Sequence, residues 1–391
     1  INNLSIGESN IVTQNLDLPS NLPNPEYFLL AVYDPDDINS GEIRNGNNYE
    51  PIKVTITDEL PPQELIFSVL KDAGGSEAEV ANDVAGDSDG NTYITGYFSG
   101  VADFGADQLT ALGASDIFLS KLDVDGNYLW TTQIGSSSNN EEQGRSIAFD
   151  ANNNPVVVGY FDQEAIFYDD DGLEAIRWTS LGETDGFVAK FDKATGSVLW
   201  ANRFGGSDFD EAADAVVQGD NVYVTGFSRG AVDLAGISLD GAGSLVNYFV
   251  ARISNITGAG QGAIIDGLGF ESYAETIALN PDNGNIFVGG YFERNITIGN
   301  VNFNSDNQSE DGFIARYDQN LNFNNAVRGG GYASDRIYTL SYDALNNKLY
   351  AGGDLFSYFC FPDWCTYSSN DNEDAFVASL NPDDFSTNWM N

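Results

Sequence analysis

The sequence contains no histidine, only two cysteines, and few basic residues among its 391 positions. The absence of histidine excludes Ser-His-Asp and Cys-His nucleophilic centres, together with zinc or copper sites that use histidine ligands. Lys and Arg total 16 against 59 Asp and Glu, which gives a formal net charge of -43. This charge repels the phosphates of nucleic acids and of anionic lipids, so neither is an expected partner. The acidity itself is most simply explained by solubility.

Long hydrophobic runs are also missing, so membrane insertion is not expected. The two cysteines, Cys360 and Cys365, are too few for a four-ligand zinc site and do not have Cys-x-x-Cys spacing. A local disulfide formed in an oxidising compartment is predicted, with two free thiols as the alternative. The chain opens at Ile1 without a signal peptide, which we interpret as processing or as a piece of a longer chain.

What the sequence does contain is an internal repeat. A strand-like run ending in glycine, usually followed by an aromatic residue, occurs five times with a period of 63 to 67 residues. A fixed period of this length indicates a repeat architecture. The marker glycines are Gly96, Gly159, Gly226, Gly290 and Gly353.

One repeat contains four short strand patterns, which in the first repeat cover 80–86, 92–98, 116–122 and 128–135. Four antiparallel strands joined by tight turns describe a propeller blade, and a blade buries its two faces against its neighbours. The predicted fold class is therefore all-β, a β-propeller with five four-stranded repeats in a ring of five to seven blades.

The repeat closely resembles the bacterial β-propeller repeat called SBBP. The resemblance is carried by Asp87-Ser-Asp-Gly-Asn91, Asp103-Phe-Gly105, Asp116-Ile-Phe-Leu-Ser-Lys-Leu122 and Gly126-Asn-Tyr-Leu-Trp130, and it covers residues 64–391. Repeat five departs from the pattern at Asp354-Leu-Phe356. The resemblance implies a secreted or surface-exposed propeller of a large bacterial protein, and it implies no single activity.

Residues 1–58 lack the repeat and show short β-rich runs between Pro, Asn, Asp and Gly. Ile6-Gly-Glu-Ser9 and Asn47-Asn48 resemble the C-terminal part of a CARDB-type (cell-adhesion-related) immunoglobulin-like domain. The first strands of such a domain are absent, which favours a chain cut from something larger. Residues 59–63 are interpreted as a linker, and 64–391 as the propeller.

Ring closure is open at this stage. A run at 65–70 followed by Gly74-Gly75 matches a fourth strand. The chain therefore contains five sets of first, second and third strands but six candidates for a fourth strand. A ring that closes within the chain has five blades and a spare strand. A ring that uses strands beyond Asn391 has six or more, and we favour this alternative.

Two turns of the first repeat place side-chain oxygens at alternate positions around a glycine, a pattern that suits calcium. The alternative is a hairpin turn without metal, because Asp-Gly and Gly-Asn favour such turns by themselves. Calcium is the one cofactor that the sequence suggests. The candidate ligands are Asp87, Asp89, Asn91, Asp123, Asp125 and Asn127.

The loops that lead into the first strand of each repeat converge on one face of a propeller. They carry carboxylates beside aromatic rings, which suits sugar rings or a cationic partner. The alternative is that the rings fill the hub and the acids are solvated. The predicted ligand-binding residues are Phe209, Phe270, Tyr332, Glu142, Asp208, Asp210 and Glu271, and the same loops hold Glu141 and Glu211.

The function predicted from the sequence is a non-enzymatic extracellular module of a bacterial cell surface, with a role in adhesion. Its partner would be a glycan or a surface protein, and the chain would belong to a larger extracellular protein or assembly. One alternative is a glycan-active enzyme with a pair of carboxylates. Another is a structural subunit or spacer of an extracellular assembly.

Overall fold

A computed structural model of the chain describes residues 74–105, 107–137, 142–169, 171–241, 243–367 and 373–390. The predicted immunoglobulin-like part, the linker and the strand candidate at 65–70 lie outside these ranges. The described ranges form 28 β-strands and one 3-10 turn at Asp306–Gln308, and they contain no α-helix. Within them, no helix has the length and apolarity to cross a bilayer.

The strands contain five antiparallel units of four strands, which we call blades 1 to 5; further short strands between the second and third strands of these units extend a neighbouring sheet or form small sheets of their own. Blade 1 and the strands beside it are β1 (Gly74–Gly75), β2 (Glu79–Gly86), β3 (Thr92–Phe98), β4 (Val101–Phe104), β5 (Asp107–Thr110), β6 (Asp116–Leu122) and β7 (Tyr128–Ile134). Blade 2 comprises β8 (Gln143–Phe149), β9 (Pro155–Tyr168), β10 (Glu174–Phe191) and β11 (Val198–Gly206). Blade 3 comprises β12 (Asp210–Gln218), β13 (Asn221–Arg229), β14 (Val232–Leu234), β15 (Ile237–Leu239), β16 (Val246–Ser254) and β17 (Gly260–Asp266).

The last two blades follow the same plan. Blade 4 comprises β18 (Leu268–Leu279), β19 (Ile286–Ile298), β20 (Val301–Asn304), β21 (Glu310–Tyr317) and β22 (Phe323–Gly329). Blade 5 comprises β23 (Arg336–Asp343), β24 (Lys348–Phe356), β25 (Tyr358–Phe361), β26 (Trp364–Tyr367), β27 (Glu373–Leu380) and β28 (Thr387–Met390). The spatial orders are β2-β3-β6-β7, β8-β9-β10-β11, β12-β13-β16-β17, β18-β19-β21-β22 and β23-β24-β27-β28. The predicted all-β fold of four-stranded antiparallel blades is confirmed.

The first strand of each blade lies nearest the centre, because first strands of non-adjacent blades meet there. Arg145 on β8 of blade 2 forms an ion pair of 3.5 Å with Glu275 on β18 of blade 4. Each first strand also carries a bulge that leaves one residue out of register with the second strand. These five residues are Asn82, Arg145, Ala213, Glu275 and Tyr338.

The bulge explains the marker glycines, which all lie on the second strand beside it. A Cβ at Gly96 would lie 1.8 Å from the carbonyl oxygen of Val80, and one at Gly290 would lie 1.9 Å from that of Tyr273. Gly159, Gly226 and Gly353 have the same close approach at 1.9 to 2.0 Å. A side chain is therefore excluded at this point of every repeat, which explains why a glycine recurs there.

The connection between the second and third strands reaches back to the outer strand of the preceding blade. β4 pairs with β1, and β14 of blade 3 pairs with β11 of blade 2. In blade 5, Cys360 forms a β-bridge with Gly330 of blade 4, and its hairpin is closed by a disulfide to Cys365. Neighbouring blades from 1 to 5 also share hydrophobic clusters, so hydrophobic packing between the sheets adds to these outer contacts.

Candidate functional site

A row of aromatic side chains crosses blades 3 and 4 and ends at an arginine of blade 5, at the end where first strands begin and second strands end. Phe209 contacts Phe227 with ring centroids 6.2 Å apart, and Phe227 contacts Tyr273 at 5.0 Å. Tyr273 stacks on Tyr291 at 5.0 Å with an interplanar angle of 20°. The guanidinium of Arg336 ends the row, 5.1 Å from the Tyr291 ring centroid. We call these five residues, with the carboxylates beside them, the hub face.

Sequence position explains why the rings meet. Phe227 and Tyr291 directly follow the marker glycines of blades 3 and 4, so both lie on a second strand beside the bulge of the first strand. Tyr273 precedes the bulge of blade 4, opposite Tyr291 in the register. The aromatic residue after the marker glycine is the sequence signal that could have identified this row, but the predicted site omitted it.

Carboxylates line the same face, and two of them are deeply placed. Glu275 pairs with Arg145 across the centre, and Glu211 lies close enough to be affected by both charges. Burial raises the pKa of Glu211 to about 7, the negative charge of Glu275 adds to this, and Arg145 opposes it. Burial also raises the pKa of Glu275, against the pull of Arg145 and Arg336. One of the two carboxyls can therefore hold a proton near neutral pH.

Arginines modify the acidic surface that the sequence predicts for this face. Arg229 lies 4.2 Å over the ring of Phe209 and 3.8 Å from Asp208. Arg294 lies 4.0 Å over the ring of Phe270. The face thus carries both signs of charge, although the whole chain has a net charge of -43. Its rings have cationic neighbours already.

The predicted ligand residues separate into two groups. Phe209 and Asp208 belong to the hub face through Arg229, and Glu271 belongs to it because its carboxylate accepts a hydrogen bond of 3.1 Å from the Tyr273 hydroxyl. Tyr332 is 62% exposed on the loop before β23. Glu141 lies outside the described residues. These placements are compatible with binding, and the binding itself stays a prediction.

Glu142 and Asp210 are buried, so their side chains do not lie on the surface with the other predicted ligand residues. Both side chains are fully buried and stabilise the loops between blades. The Ser136 hydroxyl donates to the Glu142 carboxylate at 3.2 Å, and the Gly206 N–H donates to the Asp210 carboxylate at 2.6 Å. Burial raises the pKa of Asp210 to about 8. Both residues thus stabilise the loops, and ligand binding by them stays a prediction.

A similar buried carboxyl on the third strand explains the glycines of these loops. A Cβ at Gly205 would lie 2.2 Å from Cγ of the buried Asp185, and one at Gly135 would lie 2.3 Å from Cγ of Asp116. Asp185 accepts a hydrogen bond of 2.9 Å from the Leu181 N–H, and burial raises its pKa to about 6. The Gly-Gly and Gly-Ser runs therefore leave room for buried acids.

The calcium candidates lie at the opposite end of blade 1, where their side chains stabilise turns. One Asp87 oxygen accepts the N–H groups of Asp89 and Asn91, each at 2.9 Å, and the other accepts the Asn91 side-chain amide at 2.8 Å. Asp123 makes the same contacts with Asp125 and Asn127. No group of three acidic or sulfur ligands suited to a metal occurs in the described ranges. Calcium binding stays a prediction, with a turn function beside it.

A separate cavity of about 510 Å³ lies between the outer strand of blade 4 and the β25–β26 hairpin. Phe303, Arg328, Tyr358 and the disulfide are among its lining residues. Arg328 is already paired with Asp306 at 2.9 Å. The cavity lies to the side of the hub face, and none of the four rings of that face or Arg336 lines it.

Comparison with known proteins yields distant similarities. No protein-family model matches the chain. It is 27% identical over 183 residues to the uncharacterized WD repeat-containing protein L264 of Acanthamoeba polyphaga mimivirus, which is 43% of this chain and 13% of that protein. The chain therefore spans only a small part of the length of that relative.

Three solved structures have a similar arrangement at low overlap. The Dos1 propeller has a TM-score of 0.38 at 9% identity, covering 85% of this chain and 68% of that chain. The RRP9 WD40 repeats have a TM-score of 0.26 at 13% identity, covering 61% and 84%. BamB from Moraxella catarrhalis has a TM-score of 0.24 at 11% identity, covering 69% and 92%. The fold assignment rests on the strand order and register described above.

Proposed function

We propose that the protein is a non-catalytic binding module that holds a polypeptide partner on its hub face, as part of an extracellular bacterial surface or adhesion system. The observation that carries the proposal is the row of rings from Phe209 to Tyr291, ending at Arg336. A propeller brings loops of several blades to one end, so a partner can contact all three blades at once.

The chemistry of the face favours a polypeptide over a sugar. Tyr, Arg and Phe are the residues that most often dominate the binding energy of protein interfaces. Sugar stacking needs free ring faces, but Arg229 lies over one face of Phe209, and Tyr291 has both Tyr273 and Arg336 against its ring. Carboxylates and guanidinium groups side by side suit the mixed charges of a polypeptide surface. A glycan partner is the alternative.

The extracellular setting is supported by two features of the chain. The Cys360–Cys365 disulfide is typical of oxidising compartments. The resemblance of the repeat to the SBBP type implies secreted or surface-exposed bacterial proteins.

The test makes the same substitution at two ion-paired arginines, one on the hub face and one outside it. Arg336 pairs with Glu310 at 2.6 Å on the hub face, and Arg177 pairs with Glu174 at 2.6 Å in the first part of β10 of blade 2. Immobilised wild type, Arg336→Gln and Arg177→Gln would be incubated with extracellular protein extracts, and retained polypeptides would be quantified by mass spectrometry. We expect at least one polypeptide to be retained by wild type and Arg177→Gln and lost at least tenfold by Arg336→Gln. A retained set that is the same for all three proteins would contradict the proposal.

A second candidate function, glycan hydrolysis, is favoured by Glu211 and Glu275. Glycosidases need one protonated and one ionised carboxyl, and the raised pKa of Glu211, about 7, meets the first condition. Wild type, Glu211→Gln and Glu275→Gln would be incubated with a panel of polysaccharides, with and without calcium. New reducing ends made by wild type and lost in the variants would establish an enzyme and overturn the non-catalytic proposal. Retention without cleavage would change the partner class to glycans.

A further inference from the structure

Blade 5 exposes a face that the other four blades bury. Val377 on its third strand is 49% exposed. The equivalent residues, paired opposite the position before each marker glycine, are Leu119, Val188, Val250 and Ile314, and all four are fully buried. In those four blades the next blade covers this position.

Other positions of the same face show the same contrast. Thr339 of blade 5 is exposed, whereas the equivalent Thr276 of blade 4 is 4% exposed. Trp389 is 42% exposed, whereas the equivalent Trp200 of blade 2 is 8% exposed. Tyr350 is half-buried at a position that is fully buried in blades 1 to 4. We call Thr339, Tyr350, Val377 and Trp389 the open face.

Polar groups on this face are the ones that attach each blade to the next. The Thr276 hydroxyl of blade 4 accepts a hydrogen bond of 3.0 Å from the Leu340 N–H of blade 5. Asp83 of blade 1 accepts the Ile147 N–H of blade 2 at 2.7 Å in the same way. Thr339 places an acceptor at the equivalent point of the open face.

Tryptophans on the fourth strands connect the same neighbouring blades, farther from the centre of the ring. The Trp130 indole of blade 1 donates to the Lys193 carbonyl of blade 2 at 3.2 Å. The Trp200 indole of blade 2 donates to the Asn255 carbonyl of blade 3 at 3.1 Å. Both acceptors lie in the turn between the third and fourth strands of the following blade. Trp389 keeps this donor on the open face, where blade 5 has no following blade among the described residues.

The other side of the gap also indicates a further blade. β1 pairs with β4, which lies between the second and third strands of blade 1. In the same way, the outer strand β11 of blade 2 pairs with β14 of blade 3, and Gly330, which follows the outer strand of blade 4, pairs with Cys360 of blade 5. β1 therefore occupies the position of an outer strand of a blade that precedes blade 1. Within the described ranges, no hydrophobic cluster contains residues of both blade 5 and blade 1.

We propose that the open face docks a further blade of this same repeat type, seated between blade 5 and blade 1, with β1 at the position of its outer strand. The exposed feature is the flat face of a sheet with an apolar centre at Val377, so the matching occupant is another sheet and not a single added strand. The occupant would supply a backbone N–H to Thr339 and a turn carbonyl to Trp389, as blades 2 to 5 supply them within the chain.

One departure defines the occupant further. In blades 1 to 4 the third strand carries a basic residue that donates to the turn of the next blade, as Arg316 donates to the Pro382 carbonyl at 2.7 Å. Blade 5 has Ser379 at this position. At this distance from the centre, the proposed blade is therefore bound by the indole of Trp389 alone, without the basic side chain that the other blades use. This inference is independent of the proposed binding at the hub face.

The test measures whether an added repeat protects the open face. Val377→Cys would be introduced into the full chain and into the same chain extended after position 391 by a copy of residues 331–390. The rate of maleimide labelling at position 377 should fall at least tenfold in the extended chain. Leu345→Cys is the matched control, because Leu345 is 77% exposed on the first turn of blade 5, away from the open face, and its labelling should not change.

A second extension, a copy of residues 268–330, guards against a single fusion that does not fold. Unchanged labelling at position 377 in a folded extension would overturn the proposal. The absence of added strand signal in circular dichroism of both extensions would also overturn it, since a suitable blade must fold on this face. Concentration-dependent protection of position 377 in the unextended Val377→Cys chain would assign the face to a second copy and equally overturn it.

Discussion

Replacing Asp210 by Asn should remove much of a destabilisation that the folded protein carries above about pH 5. Asp210 is fully buried between blades 2 and 3. Burial raises its pKa to about 8; the charges of Asp185 and Asp208 contribute in the same direction, and the Gly206 and Arg229 backbone N–H groups oppose them. The variant keeps the shape and an acceptor for the Gly206 N–H, but it carries no charge.

The sign follows from proton binding. Between the unfolded pKa of about 4 and the folded pKa of about 8, the folded state holds more protons than the unfolded state. The free energy of unfolding therefore falls as pH rises through this window. A shift of roughly four units corresponds to at most about 6 kcal/mol, at about 1.4 kcal/mol per unit. Because Asp185 shares the repulsion, we expect a difference of about 2–4 kcal/mol between variant and wild type.

The assay is urea denaturation at pH 5 and pH 9 at constant ionic strength, followed by circular dichroism. Wild type should lose more stability between the two values than Asp210→Asn. Asp240→Asn, an exposed change, should behave as wild type. The junction of blades 3 and 4 already has neutral residues, Asn247 and Ser272, at the equivalent positions. Equal pH dependence in wild type and Asp210→Asn would refute the reasoning.

Three further predictions concern packing, the blade junctions and calcium. Gly205→Ala should destabilise by about 1–3 kcal/mol in urea denaturation because its Cβ would collide with Asp185, whereas Gly262→Ala, whose nearest neighbour is 3.8 Å away, should be nearly neutral. Trp200→Phe should cost about 1–3 kcal/mol in the same assay by removing its bond to the next blade; no loss would contradict this account of the junction. Calcium and chelator should give the same melting temperature if Asp87 only stabilises its turn, and a rise with calcium that Asp87→Asn abolishes would support the metal site.

Much of the fold could be predicted because its cause repeats. The bulge on each first strand excludes a Cβ at the marker glycine, and five such glycines at a nearly constant period are visible in the sequence. The apolar alternation of the strands follows from burial between neighbouring blades. The spare fourth-strand candidate already favoured a ring of six or more blades, but the exposure of Val377 could not be predicted, since Val377 and the buried Ile314 occupy the same place in the repeat pattern.

The site was less predictable because it depends on contacts between distant repeats. Glu142 and Asp210 occur in Gly- and Ser-rich polar loops, which usually indicate exposure, yet both are buried. Arg145 and Glu275 carry no distinguishing signal in the sequence and meet only because their bulges face each other across the centre. Phe209 could be selected because it stands between two acids in a loop.

The most direct test of binding at the hub face places a photo-crosslinking amino acid at one end of the molecule or the other. Tyr338 lies in the bulge of blade 5, where its hydroxyl contacts Arg336, and Leu345 lies on the turn at the opposite end of the same strand pair. After irradiation in extracellular extract, we expect a discrete crosslinked polypeptide from position 338 and none from position 345. Crosslinks from position 345 without any from position 338 would contradict it.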